Sequence, residues 1–77
     1  MKSSELIKEY RRKSGLTQAE LAKKCDVYTQ YVSSVESGRI PIGIRAARKF
    51  KRVLNIPKTK VTQSLLKDYE DKILRAI

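Results

Sequence analysis

Glycine and proline occur at only five positions, Gly15, Gly38, Pro41, Gly43 and Pro57, and they divide the 77 residues into lengths that hold short helices. Between these joints apolar residues recur three and four apart, and the strict alternation of a half-buried strand is missing. The spacing predicts an all-α chain of five helices, read as one domain over residues 1–77. Helix 1 is expected from Ser4 or Glu5 to Ser14, with Leu6, Ile7 and Tyr10 on one face and Gly15 as its C-terminal stop. Thr17 followed by Glu20 is a capping box, so helix 2 starts at Gln18 and runs to Lys24 or Cys25. Helix 3 extends from near Tyr28 to Ser37. At about 100° per residue its phase puts Tyr28, Val32, Val35 and Glu36 on one side and Gln30, Ser33, Ser34 and Ser37 on the other.

Ile44, Ala47, Phe50 and Leu54 mark helix 4, whose outer face carries Arg45, Arg48, Lys49 and Arg52, and Asn55 suits the left-handed turn that ends it. Pro57 opens helix 5, about residues 58–76. Here Val61, Leu65, Tyr69 and Ile73 form a stripe, broadened by Leu66, Leu74 and Ile77. A stripe this wide on a last helix suggests a second chain, with Leu65, Tyr69 and Ile73 as dimerisation residues.

A chain of this size buries only about 60% of the surface it exposes when unfolded, so dimerisation would be a useful source of stability. Other staples are lacking, because one cysteine cannot close an internal disulfide and no histidine joins it in a metal site. No metal, cofactor or small-molecule ligand is expected. A reducing compartment is the simpler setting, no apolar run approaches the roughly 18 residues of a membrane span, and the N-terminus lacks the apolar core of a signal peptide. The expectation is a soluble, cytoplasmic protein without a membrane partner.

The formal charge is +10, and it is unevenly placed: residues 1–60 hold 15 basic and 5 acidic side chains, residues 61–77 hold 3 of each. A concentrated basic surface is what a nucleic-acid binder uses to displace counterions from phosphates. A merely solvated surface, or one that rests on acidic lipid, is the alternative that charge alone leaves open. Catalysis is the poorest reading, since without histidine or a Gly-rich phosphate loop no nucleophile and base can be paired.

Two short helices joined by a tight turn in a basic all-α chain suggest a helix-turn-helix, in which the second helix enters the DNA major groove. The stretch "GLTQAELAKKCDVYTQYVSSVESG" closely resembles that motif in the Cro and phage-repressor class, also called the xenobiotic-response-element family. The resemblance covers helices 1 to 4 and, more loosely, the end of the chain. It implies a five-helix lambda-repressor-like domain and assigns roles to individual residues. Ala22 is the small residue where helices 2 and 3 approach, and Leu21, Val32 and Val35 form the wedge between them. Arg11 and Glu36 match a buried ion pair that joins helix 1 to helix 3. Gln18 matches a phosphate contact at the start of helix 2, where free N–H groups favour an anion.

Thr29, Gln30 and Ser34 fall on base-reading positions with Ser33 beside them. Gln can bond adenine bidentately, and hydroxyls can make single bonds. Tyr31 is placed to set its hydroxyl on a sugar-phosphate strand, while Arg39 and Arg45 would hold the backbone. The sequence departs from the family in having Asp26 where glycine is usual at the turn, a residue that tolerates the left-handed conformation. It also has Tyr28 where Ser or Thr usually caps helix 3, so either Asp26 or Thr29 caps instead or the cap is missing. Cys25 falls at an apolar packing position.

The implied function is a sequence-specific regulator of double-stranded DNA, a homodimeric repressor or autoregulator on a pseudo-palindromic operator. Small repressors and restriction-modification controller proteins are of this kind. The alternative is a protein-interaction module, an antitoxin or antirepressor that binds its partner through helix 5.

Overall fold

The computed structural model describes residues 1–77 as five helices and no strand: α1 (Ser3–Lys13), α2 (Gln18–Cys25), α3 (Thr29–Glu36), α4 (Ile44–Leu54) and α5 (Lys58–Ala76). Local chemistry sets most of the boundaries. Gly15 adopts a φ of 71° after α1, and the Leu16 N–H turns back to the Arg11 carbonyl at 3.2 Å. At the start of α2 the Thr17 hydroxyl accepts the Glu20 N–H at 3.1 Å and the Glu20 carboxylate accepts the Thr17 N–H at 2.9 Å. The Thr17 N–H, and after it the Thr17 side chain, hold the Glu20 carboxyl below its ordinary range. Asp26 ends α2 at φ 54° and Asn55 ends α4 at φ 56°, the two non-glycine residues with positive φ. Each lets the chain reverse direction without a glycine.

Leu6 and Ile7 of α1, Leu21, Ala22 and Cys25 of α2, Val32 of α3, and Ala46, Phe50 and Leu54 of α4 form the core, closed by Ile56 after α4. Phe50, Leu21 and Val32 are wholly buried at its centre. Burying one such side chain contributes about 1.5–3 kcal/mol, so the packing of α2 against α3 and against α4 is a main hydrophobic support of the fold. Cys25 is part of that packing: it is 2% exposed, and burial pushes its thiol pKa up, away from the reactive thiolate.

The phase assignment of Ile44 is corrected. Ile44 is 68% exposed because the buried face of α4 centres on Ala46, Phe50 and Leu54, which leaves Ile44 on the outer row with Arg48 and Lys51. The wide stripe of α5 is covered by the domain only at its start, where Val61 packs against the core. Val61 and Leu65 are half-buried, and Ser64 is the one buried residue of α5, while Leu66 (63%), Tyr69 (63%), Ile73 (46%) and Leu74 (64%) are exposed.

Polar contacts with the start of α1 hold α5 in place. The Ser3 N–H donates to Asp68 Oδ1 at 3.1 Å and the Ser3 hydroxyl donates to Asp68 Oδ2. Lys2 Nζ lies 2.6 Å from Asp71 Oδ2, which holds the Asp71 carboxyl below its ordinary range. Lys2, the residue before α1, provides no side-chain cap, so Asp68 of α5 takes that role and also places a negative charge at the positive end of the α1 dipole.

Candidate nucleic-acid interface

The position of α3 is set first by apolar contact and then by one ion pair. Val32 and Val35 are buried, as are Leu21 and Ala22 of α2, and Ala22 leaves room for close approach of the two helices. Glu36 is also buried, its side chain 2% exposed, and Arg11 of α1 reaches it with Nε to Oε2 at 2.6 Å and Nη2 to Oε1 at 3.0 Å. Arg11 Nη1 donates to the Leu16 carbonyl at 2.8 Å. The hydrogen bond to Glu36 is the chief cause of a raised Arg11 pKa. Gln18 completes the group, its Nε2 donating to Glu36 Oε1 at 3.1 Å. Every buried side-chain polar atom has a partner, which is the condition under which burying such a pair is tolerated. Glu36 thereby ties α1, α2 and α3 together.

Gln18 is therefore committed in part to the protein interior. One amide N–H is used on Glu36, and the other remains for a ligand at the first turn of α2. The opposite side of α3 carries Thr29, Gln30 and Ser33, all exposed, and Ser34, half-buried. None of these four side chains bears a charge. An exposed helical face without long charged residues is unusual, because Lys, Glu and Arg are the ordinary surface choice.

Tyr28 departs from its expected phase and also answers the question of the cap. It precedes α3 with φ −74° and ψ 145°, and no side chain caps the helix. Its ring is 87% exposed, not turned inward with Val32 and Val35, because the extended backbone at this position takes the residue out of helical phase. Tyr31 is half-buried. Its ring stacks on Phe50 with centroids 6.5 Å apart, and its hydroxyl oxygen accepts the Gly43 N–H at 3.2 Å. The hydroxyl proton is still free to be donated outward. Tyr31 thus ties α3 to the N-cap residue of α4, a structural role beyond the backbone contact expected of it.

Arg39 follows α3 on the surface, and Arg45, Arg48 and Arg52 are exposed along α4. Tyr28, Tyr31, Arg45 and Lys49 line an open groove of about 580 Å³ between the α2–α3 turn and the start of α4. Side chains that could hold phosphates therefore lie beside side chains that could read bases. Leu65, Tyr69 and Ile73 of α5 do not line this groove, whereas Arg39 lines another with Asp68, Asp71, Lys72 and Arg75 of α5. Leu65 shares a further groove of about 420 Å³ with Ile44, Ala47 and Val61, where the chain also places Arg48, Lys51 and Lys58. No helix of the structure is long and apolar enough to cross a membrane.

Known proteins share this sequence and architecture. A family described as helix-turn-helix, of the Cro/C1 type, matches residues 7–61. An uncharacterised HTH-type transcriptional regulator of Archaeoglobus fulgidus is 43% identical over 49 residues, 64% of this chain and 70% of its own length. Among solved structures, an arginine-to-alanine variant of the restriction-modification controller protein C.Esp1396I is similar with a TM-score of 0.69 and 26% identity, over 86% of this chain and 88% of that one.

Proposed function

Because the chain belongs to the Cro/C1-type helix-turn-helix family of DNA-binding transcription regulators, we propose that it is a homodimeric repressor or autoregulator that reads a two-fold operator with α3. The observation that carries this reading is the uncharged, exposed face of α3 on a helix whose other side is locked by Val32, Val35 and the Arg11–Glu36 pair. Rigid mounting matters because base hydrogen bonds discriminate only when the donors and acceptors are already in place.

Thr29, Gln30, Ser33 and Ser34 take the base-reading role. Gln18, Tyr31, Arg39 and Arg45 take phosphates, which fixes register without adding sequence information. Leu65, Tyr69 and Ile73 supply the dimer contact, and the exposed Ile44 of α4 extends it. The likeness to a restriction-modification controller protein favours a regulator of this kind, with residues 1–77 as one DNA-reading domain. The reading assigns no catalytic step.

Selection of bound duplexes from a random DNA pool tests the reading. The expected result is one preferred site with two-fold symmetry, half-sites about one helical turn apart, and binding that weakens steeply with salt. A flat salt response with no preference among sequences would overturn it. The exposed apolar face of α5 favours a second reading, a partner protein held by that helix as an antitoxin or antirepressor would hold it. Such a partner would bind with little salt dependence and no preferred DNA.

A further inference from the structure

The start of α3 breaks a local rule. The N-cap position favours Ser, Thr, Asp or Asn because a short side-chain oxygen can accept one of the free N–H groups of the first turn. Here Tyr28 holds that position and no side chain caps the helix. A tyrosine tolerated there for packing would bury its ring, yet Tyr28 is 87% exposed, more than Tyr69 at 63%. Its ring is in no aromatic pair and its hydroxyl makes no hydrogen bond within the protein. The residue does neither structural job available to it, and positions that break local rules without internal compensation are where function is expected.

Its neighbours indicate what the ring meets. Thr29 and Gln30, the next two residues, are exposed at the same end of α3, and Arg45 and Lys49 share the groove that Tyr28 lines. In the major groove, thymine alone presents an apolar group, its C5-methyl, and the early residues of a recognition helix are those that reach base edges. We propose that Tyr28 is a specificity-determining residue that sets its ring against a thymine methyl in each half-site, while Arg45 and Lys49 hold the adjacent phosphates. The inference rests on the reading of α3 as the DNA-reading helix. A serine here would supply the cap but no apolar surface to set against the methyl.

The selected operator, with thymine replaced by uracil at one symmetric pair of positions at a time, provides the test. Uracil differs from thymine only by the methyl. For the wild-type protein one such replacement should weaken binding roughly fourfold per half-site, the effect of losing one buried methyl. Tyr28→Ser restores a capping side chain, so its thermal midpoint should equal or exceed that of the wild type. It should nevertheless bind the thymine operator more weakly and be indifferent to the uracil replacement.

Three results would overturn the inference: no position at which uracil weakens wild-type binding, a Tyr28→Ser protein that keeps the uracil penalty, or one that weakens equally on all DNA. The last would make the ring a backbone contact only. If selection returns no preferred site, the α3 reading itself fails, and the two failures are distinguishable.

Discussion

Removing the Arg11 side chain would leave the Glu36 carboxylate, 2% exposed, with only the Gln18 amide as a partner. Breaking one side of a buried pair costs about 3–5 kcal/mol. A domain of this size has only about 4–11 kcal/mol in all, so Arg11→Ala should lose a large part of its stability, read as a lower urea midpoint. Replacing both partners together, Arg11→Met with Glu36→Leu, should recover much of the loss because no lone charge remains buried. A double variant as unstable as the single one would show that the pair stabilises the fold in its own right. Gln30 calls for the opposite kind of measurement. Its side chain is exposed, so Gln30→Ala should leave the urea midpoint almost unchanged while costing roughly 1–3 kcal/mol on the selected operator. Equal weakening on unrelated DNA would instead assign Gln30 to the backbone.

Among the elements, α5 depends on contacts of a kind that periodicity does not reveal. Asp68→Ala would strip α1 of its cap and leave the Ser3 hydroxyl, in a residue 6% exposed, without its acceptor, a loss of about 1–3 kcal/mol in urea. Asp71→Asn should cost much less, because its pairing with Lys2 is open to solvent. The sign of its pH effect follows from the depressed Asp71 pKa. The stabilisation is complete above the ordinary carboxylate range and is lost as pH falls through the lower folded value. Acid titration of Asp71→Asn should therefore show a smaller loss of stability below the ordinary carboxylate range than the wild type.

What could be read from the sequence divides along the same line. The ends of α2 and α4 were legible because a capping box and left-handed Asp26 and Asn55 are chemistry within a few residues. The ion pair of Arg11 and Glu36 was legible through family resemblance, and helical phase agreed with it. Tyr28 and Ile44 were misplaced because phase gives only relative directions along a helix, and the crossing of neighbouring helices decides which direction is inside. The Ser3–Asp68 contact joins residues 65 apart, and no local pattern announces such a pairing.

For the whole molecule, the separation of charge from apolar surface bears on assembly. The basic excess lies in residues 1–60, whereas residues 61–77 are balanced, so the part of a contact made by α5 brings together segments of no net charge. Leu66, Tyr69, Ile73 and Leu74 of α5 are exposed together with Ile44 of α4, and apolar surface of this kind more often marks an interaction site than a solvated face. A two-fold contact there would make one rigid unit with two α3 helices, and operator affinity would then depend on protein concentration as well as on base contacts. Tyr69→Glu tests this at a position 63% exposed, where the fold itself should be spared. The variant should sediment as a monomer, retain its urea midpoint at low protein concentration, and bind the full operator far more weakly, while its affinity for an isolated half-site matches that of the wild-type monomer. An unchanged sedimentation mass would place the dimer contact elsewhere. A lower mass with full operator affinity would instead mean that one copy of α3 is enough.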